Sequence, residues 1–179
     1  MESTSRITLT HLACAIRKVR SMDLKEKEAL ADEIHREQPN LLASVLAQAT
    51  LGADPLDVEW LLGILLVSYQ SMKESGWRWP VITEEDQERE LKRWIGAVNF
   101  SEYESGPTRA RAHDQYVSQH PEQPLLAFVL HETKQRLPEL APRKSDPELE
   151  KFLTMATVNL VNCIAFTAAA ARAPAPQDP

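Results

Sequence analysis

His35-Arg36-Glu37-Gln38-Pro39-Asn40-Leu41-Leu42-Ala43-Ser44-Val45-Leu46 and His120-Pro121-Glu122-Gln123-Pro124-Leu125-Leu126-Ala127-Phe128-Val129-Leu130 are nearly the same phrase written twice. With Asn40 treated as a one-residue insertion, only two of the eleven aligned pairs differ. Self-similarity at a fixed long spacing is the mark of a repeated structural unit. The match continues downstream, where Asp54-Pro55 followed by Trp60-Leu61 corresponds to Asp146-Pro147 followed by Phe152-Leu153 at the same internal spacing. The simplest reading is a tandem duplication of a unit of roughly 85 residues.

Working outward from the repeat, each half reads as four helices. Thr8 can cap a first helix in which Leu9, Leu12, Ala13, Ile16 and Val19 recur at helical spacing. Asp23 with Glu26 makes a capping-box-like start for a second helix carrying Leu30, Ala31 and Ile34 to about Glu37. Pro39 fits the first turn of a third, striped by Leu41, Leu42, Val45, Leu46 and Ala49, with Gly52 where a left-handed cap is expected. Asp54 and Pro55 open a fourth, running to about Lys73 and apolar on nearly every side from Trp60 to Val67, as a helix surrounded by other helices is. Gly63 in its middle costs about 1 kcal/mol relative to alanine, which suggests a close helix crossing there.

The second half begins at Thr83 with Asp86 and an acidic first turn, and Leu91, Trp94, Ile95 and Val98 share one face. Gly106 and Pro107 precede a weakly amphipathic helix with His113, Tyr116 and Val117. Pro124 starts another, ending near Pro138, and Pro147 starts the last, expected to reach about Arg172. The tail 173–179 alternates alanine, proline and polar residues and is expected to be disordered. The fold expected is all-α: a compact bundle of about eight helices from two tandem, pseudo-symmetric four-helix repeats, about 8–74 and 83–172, within a single helical domain 1–172. Two copies in one chain pack most simply about a pseudo-two-fold axis. A short solenoid is the other arrangement, but it normally needs three or more units.

Composition narrows the functional classes. Only 5 of 179 residues are glycine, too few for an all-β fold with many turns or for a phosphate-binding loop. The net charge of -6 argues against a protein that neutralises phosphates, and the basic cluster Arg17, Lys18, Arg20 falls in a last helical turn, where cations suit the dipole. Cys14 and Cys163 lie in apolar helical stretches and form neither a disulfide framework nor a zinc site. The polar start Met-Glu-Ser-Thr-Ser-Arg lacks the apolar run of a secretory signal, so a cytoplasmic location is expected. Trp60 to Tyr69 is too short to span a bilayer. Phe152 to Ala171 is long enough, yet as the twin of a buried helix it needs no membrane.

The repeated His-x-Glu-Gln-Pro motif offers His35 with Glu37 and His120 with Glu122, which near a common axis could bind a ligand or divalent metal. The structural alternative, preferred here, is that these residues bond backbone groups in a sharp turn between helices. A di-iron reading fails because Asp32-x-x-His35 has Val117 at the matching place, and His131-Glu132 lacks the second histidine of a zincin. No metal and no cofactor is implied. Asn159 and Asn162, three apart in the most apolar helix, imply a polar network or a ligand, because an unpartnered buried amide costs about 1–3 kcal/mol. Trp77-Arg78-Trp79 places two tryptophans and an arginine in one loop, a composition found at interface hot spots, or else plugs an end of the bundle. The function expected is a non-enzymatic protein-interaction module, an adaptor or regulator. Its partner is a protein or a second copy, met through the tryptophan loop or the groove between the halves. The alternative is a helical ligand- or metal-binding enzyme with a site between the halves.

Overall fold

A computed structural model describes residues 5–102, 106–140, 147–167 and 170–172. The expected disordered tail 173–179 lies outside them. The described chain is helical: α1 (Leu9–Ser21), α2 (Leu24–Glu37), α3 (Pro39–Leu46), α4 (Pro55–Glu74), α5 (Glu84–Glu102), α6 (Gly106–Gln119), α7 (Gln123–Leu140) and α8 (Pro147–Phe166). A tight 3-10 turn, Ala47–Leu51, follows α3, and two short strands, β1 (Trp77–Arg78) and β2 (Ala170–Arg172), pair antiparallel.

The helix starts lie where the side chains dictate. The Thr8 hydroxyl accepts the His11 N–H at 3.3 Å while His11 Nδ1 accepts the Thr8 N–H at 3.2 Å, so histidine takes the place glutamate fills in the usual capping box. Asp23 and Glu26 make the ordinary box before α2, both bonds 2.8 Å. Asp54 accepts from Asp57 N before α4, and Thr83 with Asp86 closes a reciprocal pair before α5. Gly52, at φ 100°, takes the left-handed conformation that ends the turn after α3.

Three expectations change. The last helix stops at Phe166 rather than near Arg172, because the chain turns there and Ala170–Arg172 pairs with Trp77–Arg78. The tryptophan segment is thus half of a ribbon rather than a free loop. At Gly63 the expected close helix crossing is absent: beyond its chain neighbours and the backbone of its own helix, a Cβ placed there would meet no atom of the described residues within 4 Å.

Packing follows a regular scheme. α1 lies on α4 as α5 lies on α8; α3 packs on α4 as α7 packs on α8; α2 meets α3 as α6 meets α7; and α4 and α8 touch each other. One continuous core joins all of this, with Leu61 and Leu65 of α4, Leu125 and Val129 of α7, and Val158 and Val161 of α8 in one cluster. No described helix is long and apolar enough to cross a membrane.

Two short non-helical segments lead into α1 and α5, and their isoleucines, Ile7 and Ile82, are both 0% exposed. The Ile82 N–H donates to Gln38 Oε1 at 2.9 Å, and Gln38 Nε2 donates to the Pro80 carbonyl at 2.9 Å. The Ile7 N–H donates to Glu122 Oε2, also at 2.9 Å. Each segment is therefore held by a residue that immediately precedes a distant helix, Gln38 before α3 and Glu122 before α7.

Candidate functional site

The residues singled out in the sequence separate into distinct places. His35 and Glu37 lie exposed at the end of α2, where Glu37 accepts a 2.6 Å bond from the Tyr69 hydroxyl. His120 and Glu122 are buried in the turn between α6 and α7. The two motifs thus sit in unlike surroundings. Among the described residues no group of three or more His, Cys, Asp or Glu side chains could hold a metal ion.

Around His120 the structure builds a dense polar and aromatic cluster. His120 Nδ1 accepts the Glu122 N–H at 3.2 Å, which leaves Nε2 protonated to donate to Asn162 Oδ1 at 3.2 Å. The Tyr116 hydroxyl donates to the same Asn162 oxygen at 2.6 Å, and Tyr116 stacks obliquely on Trp94 with ring centres 4.9 Å apart. Burial lowers the His120 pKa below its ordinary 6.5 and holds the ring neutral. Both ring nitrogens are spent on neighbours, so the imidazole is a structural joint rather than a poised base.

Glu122 is equally committed. Its carboxylate accepts from Ser5 Oγ (2.6 Å), Arg6 Nε (2.7 Å) and Ile7 N (2.9 Å). The Arg6 guanidinium continues to the carbonyls of Ile164, Ala165 and Thr167 at the end of α8, where a cation satisfies the unpaired carbonyls and the dipole together. It also lies over the Trp79 ring, 5.0 Å from its centre, and Trp79 Nε1 donates to the Ile164 carbonyl at 3.0 Å. Trp79 therefore closes the end of the bundle; Trp77 is half-buried and Arg78 exposed.

Cys163 is buried, and desolvation together with the nearby Glu90 and Asp86 carboxylates pushes its thiol up to about 12. A thiol so protonated is a poor nucleophile at neutral pH.

Open space lies elsewhere. A groove of about 610 Å³ runs between α1, α2, α4 and α7, with Ile16, Leu56, Trp60, Gly63, Val67 and Phe128 among its lining. At its border Arg136 of α7 pairs with the buried Asp57 of α4 at 3.0 Å. A smaller cavity of about 320 Å³ lies between α3, α5 and α8, and Asn159 lines it, whereas Asn162 faces the His120 cluster. No known protein family, curated protein or solved structure matches this chain. The site must therefore be read from its own chemistry. Sequence reasoning missed Arg6, Gln87 and the Asp57–Arg136 pair, which join segments far apart along the chain and leave no local pattern.

Proposed function

We propose that this chain is a non-enzymatic protein-interaction module, an adaptor or regulator, which receives an apolar helical segment of a partner protein in the groove between α1, α2, α4 and α7. The observation that carries this reading is Gly63 on the groove's lining. Glycine inside a helix costs about 1 kcal/mol, and here no neighbour comes close enough to use the missing Cβ. The cost is offset if the space is kept for an occupant. Leu24 and Leu56 at the groove stand largely exposed, as residues awaiting a partner do. The groups that a catalytic reading would use, His120, Glu122 and Cys163, are engaged in the fold or held protonated.

We also propose that the two halves, about 8–74 and 83–172, arose by tandem duplication and pack about a pseudo-two-fold axis. The matched helix pairings, the antiparallel β1–β2 ribbon from the segments after α4 and α8, and the reciprocal anchoring of Ile7 and Ile82 support it. Such an axis makes the groove an interface between the halves, since α7 comes from the second. A cytoplasmic setting fits two reduced cysteines.

The test is a displayed library of amphipathic helical peptides selected on the purified chain. Selected peptides are expected to perturb the Trp60 indole resonance and to lose about tenfold in affinity on Gly63→Leu, which fills the groove, with no loss of thermal stability. Selection of no helical peptide, or affinity unchanged when the groove is filled, refutes the proposal.

A further inference from the structure

The cavity between α3, α5 and α8 shares no lining residue with the partner groove, and its chemistry differs. Leu41, Val45, Leu91, Phe152, Met155 and Leu160 make it mostly apolar, and about 320 Å³ falls at the lower end of the roughly 300–1,000 Å³ usual for small-molecule sites. Three side-chain amides line it, Gln48 beside α3, Gln87 from α5 and Asn159 from α8, and Gln48 Nε2 is already bonded to the Ser44 carbonyl at 3.1 Å. The Asn159 orientation is fixed, because its Nδ2 donates to the Gln87 backbone carbonyl at 3.2 Å and a flipped amide would set oxygen against oxygen. Asn159 Oδ1 is then an acceptor with no partner among the described residues, and Gln87 Nε2 is a donor in the same condition. Each such buried group costs about 1–3 kcal/mol while unmet.

We infer that this cavity is a binding site for a small neutral molecule that carries an amide on an apolar body. Asn159 Oδ1 calls for an N–H and Gln87 Nε2 for a carbonyl, and a carboxamide or lactam presents both on one edge. A carboxylate supplies only acceptors. The charged side chain at the cavity is Glu88, bonded outward to Lys92 at 2.6 Å, so the described lining holds no cation to receive an anion. The terminal torsion of Gln is soft, so the Gln87 amide can turn toward a guest while Asn159 keeps its orientation. The apolar walls bind the body and the amide pair fixes its orientation, the usual division of labour in a small-molecule site.

The experiment is a titration of the full chain, labelled with nitrogen-15, with benzamide, benzoate and ethylbenzene. Benzamide is expected to shift the side-chain NH₂ resonances of both Gln87 and Asn159 and to saturate, with benzoate and ethylbenzene weaker by about tenfold or more. Asn159→Leu and Gln87→Leu are each expected to weaken benzamide by a similar factor. If neither side-chain amide moves, the cavity holds internal water only and the inference falls. It falls equally if ethylbenzene binds as well as benzamide, since the cavity is then a plain void. The wild-type titration decides the matter even where a variant does not fold.

Discussion

Gln38 and Glu122 each stand immediately before a helix and each accepts, at 2.9 Å, the backbone N–H of a fully buried isoleucine far from it along the chain. Their exposures are 3% and 0%. Neither isoleucine N–H belongs to a helix, so without these side chains two donors would be buried unpaired. One acceptor is neutral and the other charged, and the charged one brings Arg6 to balance it.

That difference sets the first prediction. Glu122→Ala leaves the Arg6 guanidinium, only 16% exposed, without its carboxylate, and removal of one partner of a buried pair costs about 3–5 kcal/mol. Gln38→Ala breaks only neutral bonds and is expected to cost about 1–3 kcal/mol. Urea denaturation of the two variants should rank them in that order. Equal losses would mean that Arg6 finds enough compensation from the α8 carbonyls alone.

Stability should also depend on pH in a way the buried groups define. His120 binds its proton more weakly folded than its ordinary 6.5, so the unfolded chain takes up more protons below that value and stability falls as pH falls from 6.5. Glu33 and Glu74 extend the loss below their ordinary 4.5. Burial alone would raise both, but the bonds from Lys73 to Glu33, and from Gln70 and Lys18 to Glu74, lower them. On the alkaline side the Cys163 thiol rises from 9.0 to about 12, so the unfolded thiol ionises first and stability falls as pH climbs through that interval. Tyr69, raised by burial and by Glu37 and Glu33, adds to the loss above its ordinary 10.0. Thermal melts should show a plateau from about 6.5 to about 9. In His120→Phe the decline between 6.5 and 4.5 should disappear.

Much of this fold could be read from the chain because helix starts are local. Thr8, Asp23, Asp54 and Thr83 cap helices with bonds to residues three positions away, which is information any short window holds. The similarity of the two His-x-Glu-Gln-Pro phrases is legible as letters, but the roles of their residues are not. Matching the two histidines and the two prolines required a gap at Asn40, whereas Gln38 and Glu122, Leu41 and Leu125, and Val45 and Val129 play matching parts at one constant offset without a gap. The cause is where the preceding helix ends. α2 continues to Glu37 and leaves His35 on its exposed surface, while α6 stops at Gln119 and leaves His120 in a buried turn. Asn159 and Asn162 stand out together by their polarity, but their different partners depend on α5 and α6, which no spacing along α8 encodes. The Asp57–Arg136 pair spans 79 positions, and nothing near either residue announces it.

The two cysteines should differ sharply toward a thiol reagent. Cys163 is buried and its thiol strongly protonated, whereas Cys14 is half-exposed and donates weakly to Glu74 at 3.5 Å. At pH 8 the native protein is expected to release one equivalent of thionitrobenzoate quickly, and the second only on addition of denaturant. Loss of the fast phase in Cys14→Ser would assign it. A second fast equivalent would show that α8 opens readily.

Filling unoccupied space at Gly63 is the converse case. Beyond its chain neighbours and its own helix backbone, an added methyl meets nothing within 4 Å among the described residues, and the helix gains the propensity that glycine withholds. Gly63→Ala should therefore stabilise the chain by about 0.5–1 kcal/mol, read as a higher urea midpoint at unchanged slope. A loss of stability would reveal a close neighbour at this position.

Arg78 of the ribbon and Trp79 just after it give the last contrast. Trp79 bonds to the α8 end and carries Arg6 on its face, so Trp79→Ala removes a hydrogen bond, a cation–π contact and packing at once. The expected cost is near the low end of the about 3–5 kcal/mol seen for large aromatic truncations, because the ring is only partly buried. Arg78 is exposed, and Arg78→Ala should change stability by less than about 0.5 kcal/mol. If instead Trp79→Ala leaves the melting temperature unaltered, Arg6 must be held by Glu122 and the carbonyls without the ring. Trp79 would then be free to serve as the hot-spot residue its sequence context first suggested.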